Sequence, residues 1–218
     1  MIGMAGMQMS ATSVAGWGAT EGFLLFAMWA VMMVAMMLPS AAPVVLLFQR
    51  IGATRAANNR PATPTFFFAA GYLAVWIGFS AVAALTQWML HSFAVLSPAM
   101  RTASPIMSGM ILISAGIYQW LPFKQSCLSH CQSPLGFLTT SWREGKRGAI
   151  MMGLTHGTFC VGCCWALMTL LFVGGVMNLL WVAAISAVVL LEKVVPGGPA
   201  VSRITGSLLV VAGVSLIV

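Results

Sequence analysis

Six apolar stretches, separated by short polar joints, constrain the fold of this chain more than any other feature. They lie at about 22–49, 66–90, 104–122, 148–173, 177–195 and 201–218. A helix of roughly 20 apolar residues is long enough to span the hydrocarbon core of a bilayer. Of the 218 residues, 60% are hydrophobic and only 6% are charged, which is more apolar surface than a soluble domain of this size can bury. The sequence therefore predicts an all-α, polytopic membrane helix bundle with about six transmembrane helices.

The basic residues are unevenly distributed among the joints, because three alternate joints contain nine of the ten Lys and Arg. These nine are Arg50, Arg55, Arg60, Lys124, Arg143, Lys146, Arg147, Lys193 and Arg203. The positive-inside rule places these joints in the cytoplasm and both termini outside. We therefore expect a multi-pass protein of the bacterial inner membrane, with the lipid bilayer as its main partner. The net charge of +7 is attributed to helix orientation, since the sequence contains no nucleic-acid motif.

The chain divides into a short tail and one domain. Residues 1–19 are rich in Gly, Ala, Ser and Met and are too weakly apolar to span a membrane. They are predicted to form a Met-rich external tail, and residues 20–218 are predicted to form a single transmembrane helical domain. The tail contains Met1, Met4, Met7 and Met9.

One histidine and three cysteines share a face of the fourth apolar stretch. They are His156, Cys160, Cys163 and Cys164, within the sequence HGTFCVGCCW. On a helix they fall within an arc of about 100°. Gly153 and Gly157 flank this face, and small residues in this spacing allow a neighbouring helix to approach closely. The face is therefore predicted to be packed inside the bundle.

Thiolate and imidazole groups on this face are typical metal ligands. His156 and Cys164 lie about 12 Å apart along the helix axis, so one ion cannot bind both. His156 with Cys160, or Cys160 with Cys163 or Cys164, could form a two-ligand clip that another segment completes. The alternative is that the cysteines are small apolar residues that only pack the bundle.

A second cluster of ligand residues follows the third stretch, in the sequence CLSHCQ. Cys127, His130 and Cys131 supply up to three metal ligands within five residues. We expect this segment to lie in a cytoplasmic loop, where thiols remain reduced. If the loop folds back into the bundle, the two clusters would join. The alternative is a loop without a ligand.

Methionines in the first stretch form a third candidate group. Met28, Met32 and Met36 are spaced four residues apart and share one stripe of a helix. Thioether sulfur is a soft ligand that selects Cu(I). Met32 and Met36 are therefore candidate copper ligands, although methionine also packs irregular helix surfaces.

Four segments together resemble a bacterial family of predicted metal-binding integral membrane proteins, built on a domain of unknown function. The segments are MWAVMMVAMMLPSAAP, YQWLPFKQSCLSHCQSPLGF, GLTHGTFCVGCCWALM and LLWVAAISAVVLLEKVVPGG. The resemblance covers nearly the whole chain. It implies that the metal ligands are found among Cys127, His130, Cys131, His156, Cys160, Cys163 and Cys164.

The ligand types favour a membrane protein that handles copper as Cu(I), by binding, delivery or transport, with zinc as the alternative metal. A larger membrane protein complex or a metallochaperone would be the partner. Two other functions remain open. Cys163 and Cys164 are adjacent, and such thiols could serve a membrane thiol redox enzyme. A structural accessory subunit is the other alternative. An enzyme is the less favoured class, because the short joints leave little surface for soluble substrates.

Overall fold

The computed structural model describes residues 19–59, 61–92 and 104–218. The methionines of the predicted tail lie outside this range. Helices account for nearly all of the described residues, and these residues contain no strand, which confirms the all-α prediction. The helices are α1 (Ala19–Ala57), α2 (Thr65–Ser92), α3 (Pro105–Tyr118), α4 (Pro122–Gln132), α5 (Pro134–Thr140), α6 (Gly145–Thr169), α7 (Leu171–Gly174), α8 (Leu179–Val194) and α9 (Gly198–Ile217).

Four helical segments are long and apolar enough to cross a membrane: α1, α2, α6 together with α7, and α9. A fifth span results if α3 and α4 are taken together, although these helices are bent by 65° at the break between them. The predicted stretch at 177–195 forms α8, which has only 16 residues. The structure therefore supports four or five spans, and the count of six stays a prediction, as does the placement of both termini outside.

The break after α3 has a clear chemical cause in Pro122, the first residue of α4. Proline lacks an amide hydrogen and fits the first turn of a helix but not its interior. The chain turns at this point, and α4 then packs against α6. The prediction of a loop over this segment was wrong, because α4 and α5 occupy most of it and bury Leu128, Phe137 and Leu138.

Close contact between α2 and α6 depends on glycine. A Cβ atom at Gly153 would collide with the backbone carbonyl of Phe68, and one at Gly71 would collide with that of Ile150. At Gly157 a Cβ atom would lie 3.0 Å from the Val75 side chain. The expected close approach beside Gly153 and Gly157 is therefore confirmed. This close contact between α2 and α6 helps to bury the cysteine face of α6 inside the bundle.

Candidate metal centre

The three cysteines of α6 point into the protein interior, where each is 1% exposed. The thiols of Cys163 and Cys164 donate to the backbone carbonyl of Cys160, at 3.1 Å and 2.9 Å. Cys131 approaches from α4, and its Sγ lies 4.0 Å from that of Cys163. The Cys160 thiol interacts with all three other thiols. We call Cys131, Cys160, Cys163 and Cys164 the thiol centre.

Lys193, near the end of α8, reaches the thiol centre with its ammonium group. Its Nζ lies 2.8 Å from Cys160 Sγ and 3.2 Å from the hydroxyl oxygen of Ser40 on α1. The residue is buried, with 7% of its surface exposed. A lysine at the end of an apolar stretch is expected to extend its amine toward water. The structure contradicts that expectation, because the amine is turned inward.

Tyr72 of α2 completes the surroundings of Cys160. Its hydroxyl group donates to the carbonyl oxygen of Met37, at 3.1 Å, and also lies 3.1 Å from Cys160 Sγ. Sequence reasoning missed both Tyr72 and Lys193. One signal was available, since the chain has only two tyrosines and a polar ring within an apolar helix requires a partner.

His156 is buried one helical turn before Cys160. Its ring lies among the rings of Phe68, Tyr72 and Phe137, with the Phe137 centroid at 5.2 Å. The Nδ1 atom is buried and has no hydrogen-bond partner. A buried polar atom without a partner is costly, so this nitrogen is available to a ligand.

The other two residues of the second cluster, Cys127 and His130, are not among the four contacting thiols. Cys127 is buried against Gly162, one turn before Cys131 on α4. His130 is exposed, and its ring stacks on that of Phe159 with centroids 4.2 Å apart. Its Nδ1 lies 2.8 Å from the carbonyl oxygen of Ser126. The structure thus joins Cys131 to the cysteines of α6 but turns His130 away from them.

The donor set fits a soft ion of low coordination number. All five cysteines are free thiols. Among the described residues, no three or more His, Cys, Asp or Glu side chains are already arranged as a metal site. Two metal–sulfur bonds of about 2.3 Å each can bridge the 4.0 Å between Cys131 and Cys163. Zinc requires four ligands in a tetrahedron, which the thiol centre supplies only if all four of its thiols bind the ion.

The methionine stripe of α1 lines a groove rather than the thiol centre. Met28, Met32 and Met36 face α8 across a groove of about 820 Å³, together with Met177. We call this the methionine groove. Met36 is buried, Met32 is half-buried and Met177 is 65% exposed. The buried end of the stripe lies one helical turn before Ser40, the hydroxyl partner of Lys193.

A second buried lysine holds α4 in place. Lys124 donates to the carboxylate of Glu192 at 2.7 Å, and Gln119 donates to the same carboxylate at 3.1 Å. Gln132, at the end of α4, donates to the backbone carbonyl of Glu192 at 2.6 Å. Lys124 is fully buried. The prediction that the basic residues lie in joints that orient the helices is thus wrong for Lys124 and Lys193, because both are paired inside the bundle.

Comparison with known protein families gives a match over most of the chain. The model of a family described as copper chaperone, PpoB2, matches residues 26–216. The matched range includes the thiol centre, Lys193 and the four methionines of the methionine groove. No curated protein and no solved structure matches the chain significantly. The chain therefore belongs to the PpoB2 copper chaperone family.

Proposed function

We propose that the protein is an integral membrane copper chaperone that holds Cu(I) at the thiol centre and delivers it to a partner protein. The observation that carries this proposal is the 4.0 Å approach of Cys131 to Cys163, beside the buried thiols of Cys160 and Cys164. Two helices supply these sulfurs, so copper binding would link α4 to α6. The PpoB2 match supports copper as the cargo.

Delivery requires a site from which copper can leave. Four thiols around a low-coordinate ion allow one sulfur to release the ion while another binds it. A partner that supplies its own thiolate or thioether could then receive Cu(I) by ligand exchange. His156, with its unpartnered Nδ1, serves as a further ligand in this scheme. Cys127 and His130 remain separate candidates, because they lie outside the thiol centre.

The methionine groove is the proposed route of entry. It begins beside Leu24 and Met28 and continues toward Met36, close to Ser40 and Lys193. Thioethers bind Cu(I) without losing a proton, so an apolar groove tolerates them without a compensating charge. Met32 and Met36 are the ligands we assign to it. In the predicted orientation this groove opens toward the outside of the inner membrane.

The proposal is tested by metal analysis of the full chain, purified without a His tag and without added metal. We expect copper in stoichiometric amount, and its loss when Cys131 and Cys163 are both replaced by serine. Thr158→Ala is the matched control, because Thr158 is exposed on the same helix and its hydroxyl group bonds to its own turn. Copper retained at the full level in the double variant would contradict the proposal.

A thiol redox enzyme is the second candidate, favoured by the same pair of thiols. Two sulfurs 4.0 Å apart need only a small movement to form a disulfide. Purified protein without metal, with a Cys131–Cys163 disulfide found by mass spectrometry, would support this function. Zinc alone would instead favour a structural accessory subunit.

A further inference from the structure

Among the described residues, Lys193 forms no ion pair with a carboxylate. The whole chain contains three acidic residues and no aspartate. Glu192 is paired with Lys124, and Glu144 is paired with Arg55 at the protein surface. Glu21 is exposed in the first turn of α1, about 28 Å along the helix from Ser40.

The partner of the Lys193 ammonium is therefore the sulfur of Cys160. A buried charge is costly unless an opposite charge and hydrogen bonds compensate it. Lys193 Nζ makes two hydrogen-bonded contacts, with Cys160 Sγ at 2.8 Å and with Ser40 Oγ at 3.2 Å. Of these two groups only the sulfur can carry a negative charge, because a hydroxyl group stays neutral.

An ion bound to Cys160 would lie close to this ammonium. With a metal–sulfur bond of about 2.3 Å, the ion and Nζ are at most about 5 Å apart, since Nζ is 2.8 Å from the sulfur. Repulsion between two positive charges grows in proportion to the charge on the ion and is strong where water is excluded. A divalent ion experiences twice the repulsion of a monovalent ion at the same position.

We infer that Lys193 determines the charge specificity of the thiol centre, so that it accepts monovalent soft ions and disfavours divalent ones. This inference rests on the proposed function. A monovalent ion on two thiolates has a net charge of −1, which the ammonium neutralises. A divalent ion on the same two thiolates is already neutral, and the ammonium then leaves an uncompensated positive charge in the interior.

The test measures ion preference in the full chain in detergent. Lys193→Gln removes the charge and keeps a hydrogen-bond donor, whereas Lys193→Arg keeps the charge. The Kd values for Ag(I), an air-stable monovalent substitute for Cu(I), and for Zn(II) are measured by competition with chromophoric chelators. We expect the glutamine variant to shift the ratio of the two affinities toward zinc by about tenfold or more. The arginine variant should keep the ratio within about threefold of the parent.

A second variant covers the case in which glutamine prevents folding. Lys193→Leu fills the space with an apolar side chain, and such replacements of buried charges are often tolerated. The inference is overturned if a folded, uncharged variant keeps the parental ratio, or if it loses both ions equally. Failure of the parent protein to bind either ion would instead overturn the proposed function. Binding of Ag(I) by the parent, with an unchanged ratio in the variant, would overturn only the role of Lys193.

Discussion

The thiol centre and the methionine groove both present sulfur, yet they are built differently. The thiol centre is largely buried, with Cys160, Cys163 and Cys164 each 1% exposed and Cys131 half-buried, and a lysine contacts it. The methionine groove is open along one side, and apart from Ser186 its lining is apolar. Thiolates carry charge and need a buried counter-charge, whereas thioethers are neutral and need none. Under the proposed function, the thiol centre therefore stores copper and the groove conducts it.

The largest effect is expected for Cys160→Ser. Cys160 touches Lys193 and Tyr72 and interacts with the other three thiols, so its loss removes a ligand and leaves the ammonium without its partner. We expect Cu(I) affinity to fall by at least about 100-fold, beyond the range typical for residues that only orient a ligand. Chelator competition measures the affinity.

The control for Cys160→Ser is a variant of the methionine groove. The double variant Met32→Leu and Met36→Leu preserves apolar volume and should keep the equilibrium affinity within about threefold. If the methionine variant lost as much affinity as Cys160→Ser, storage and conduction could not be assigned to separate regions.

Acidic pH should distinguish copper binding at the thiol centre from copper binding in the methionine groove, with an effect nearly as large as that of Cys160→Ser. Copper displaces protons from thiols, so affinity at the thiol centre falls as pH falls, while thioether binding is independent of protons. We expect copper at the thiol centre to be released on acidification, with any remaining ion bound by thioethers alone. X-ray absorption at neutral and acidic pH follows the change in sulfur ligands. Identical spectra and copper content at both pH values would argue against thiolate ligands.

Removal of the carboxylate of Glu192 should affect the thiol centre and spare the groove. The Glu192–Lys124 pair joins the end of α8 to α4, which carries Cys131, whereas the part of α8 that lines the groove ends at Ser186. Glu192→Gln leaves a buried lysine uncompensated, which costs about 3–5 kcal/mol. Denaturant unfolding should register this loss, and copper affinity should fall less than in Cys160→Ser. Replacement of both partners, by Lys124→Met with Glu192→Leu, should restore most of the stability.

The sequence predicted what depends on a single helix and missed what depends on packing between helices. The spacing of His156 and Cys160 placed both on one face, and Gly153 correctly indicated a close neighbour. By contrast, the contact of Lys193 with Cys160 joins residues 33 positions apart, and periodicity within one helix cannot show it. The small number of acidic residues was a usable signal. A chain with three acidic and ten basic residues has few carboxylates that could pair with a buried lysine.

The turn after α3 was missed for a related reason. Apolar composition marked 104–122 as one span, but Pro122 ends it and sends α4 back against α6. That turn brings Cys131 to Cys163, which the sequence could predict only on the condition that the segment folded back. Local chemistry thus located the break, but not the direction in which the chain continued.

The smallest expected effect concerns the rate of loading through the groove. Replacing Met28, Met32, Met36 and Met177 with leucine removes every thioether that lines it while preserving its apolar surface. The thiol centre is untouched, so the final copper content and the affinity should equal those of the parent. Loading at limiting Cu(I) should slow by several-fold, because the ion must reach Cys160 without intermediate ligands. Stopped-flow loading of detergent-solubilised protein measures the rate, with Leu24→Val in the same groove as the control. Equal rates in the parent and the leucine variant would show that copper reaches the thiol centre by another route, and the methionines would then serve only to pack α1 against α8.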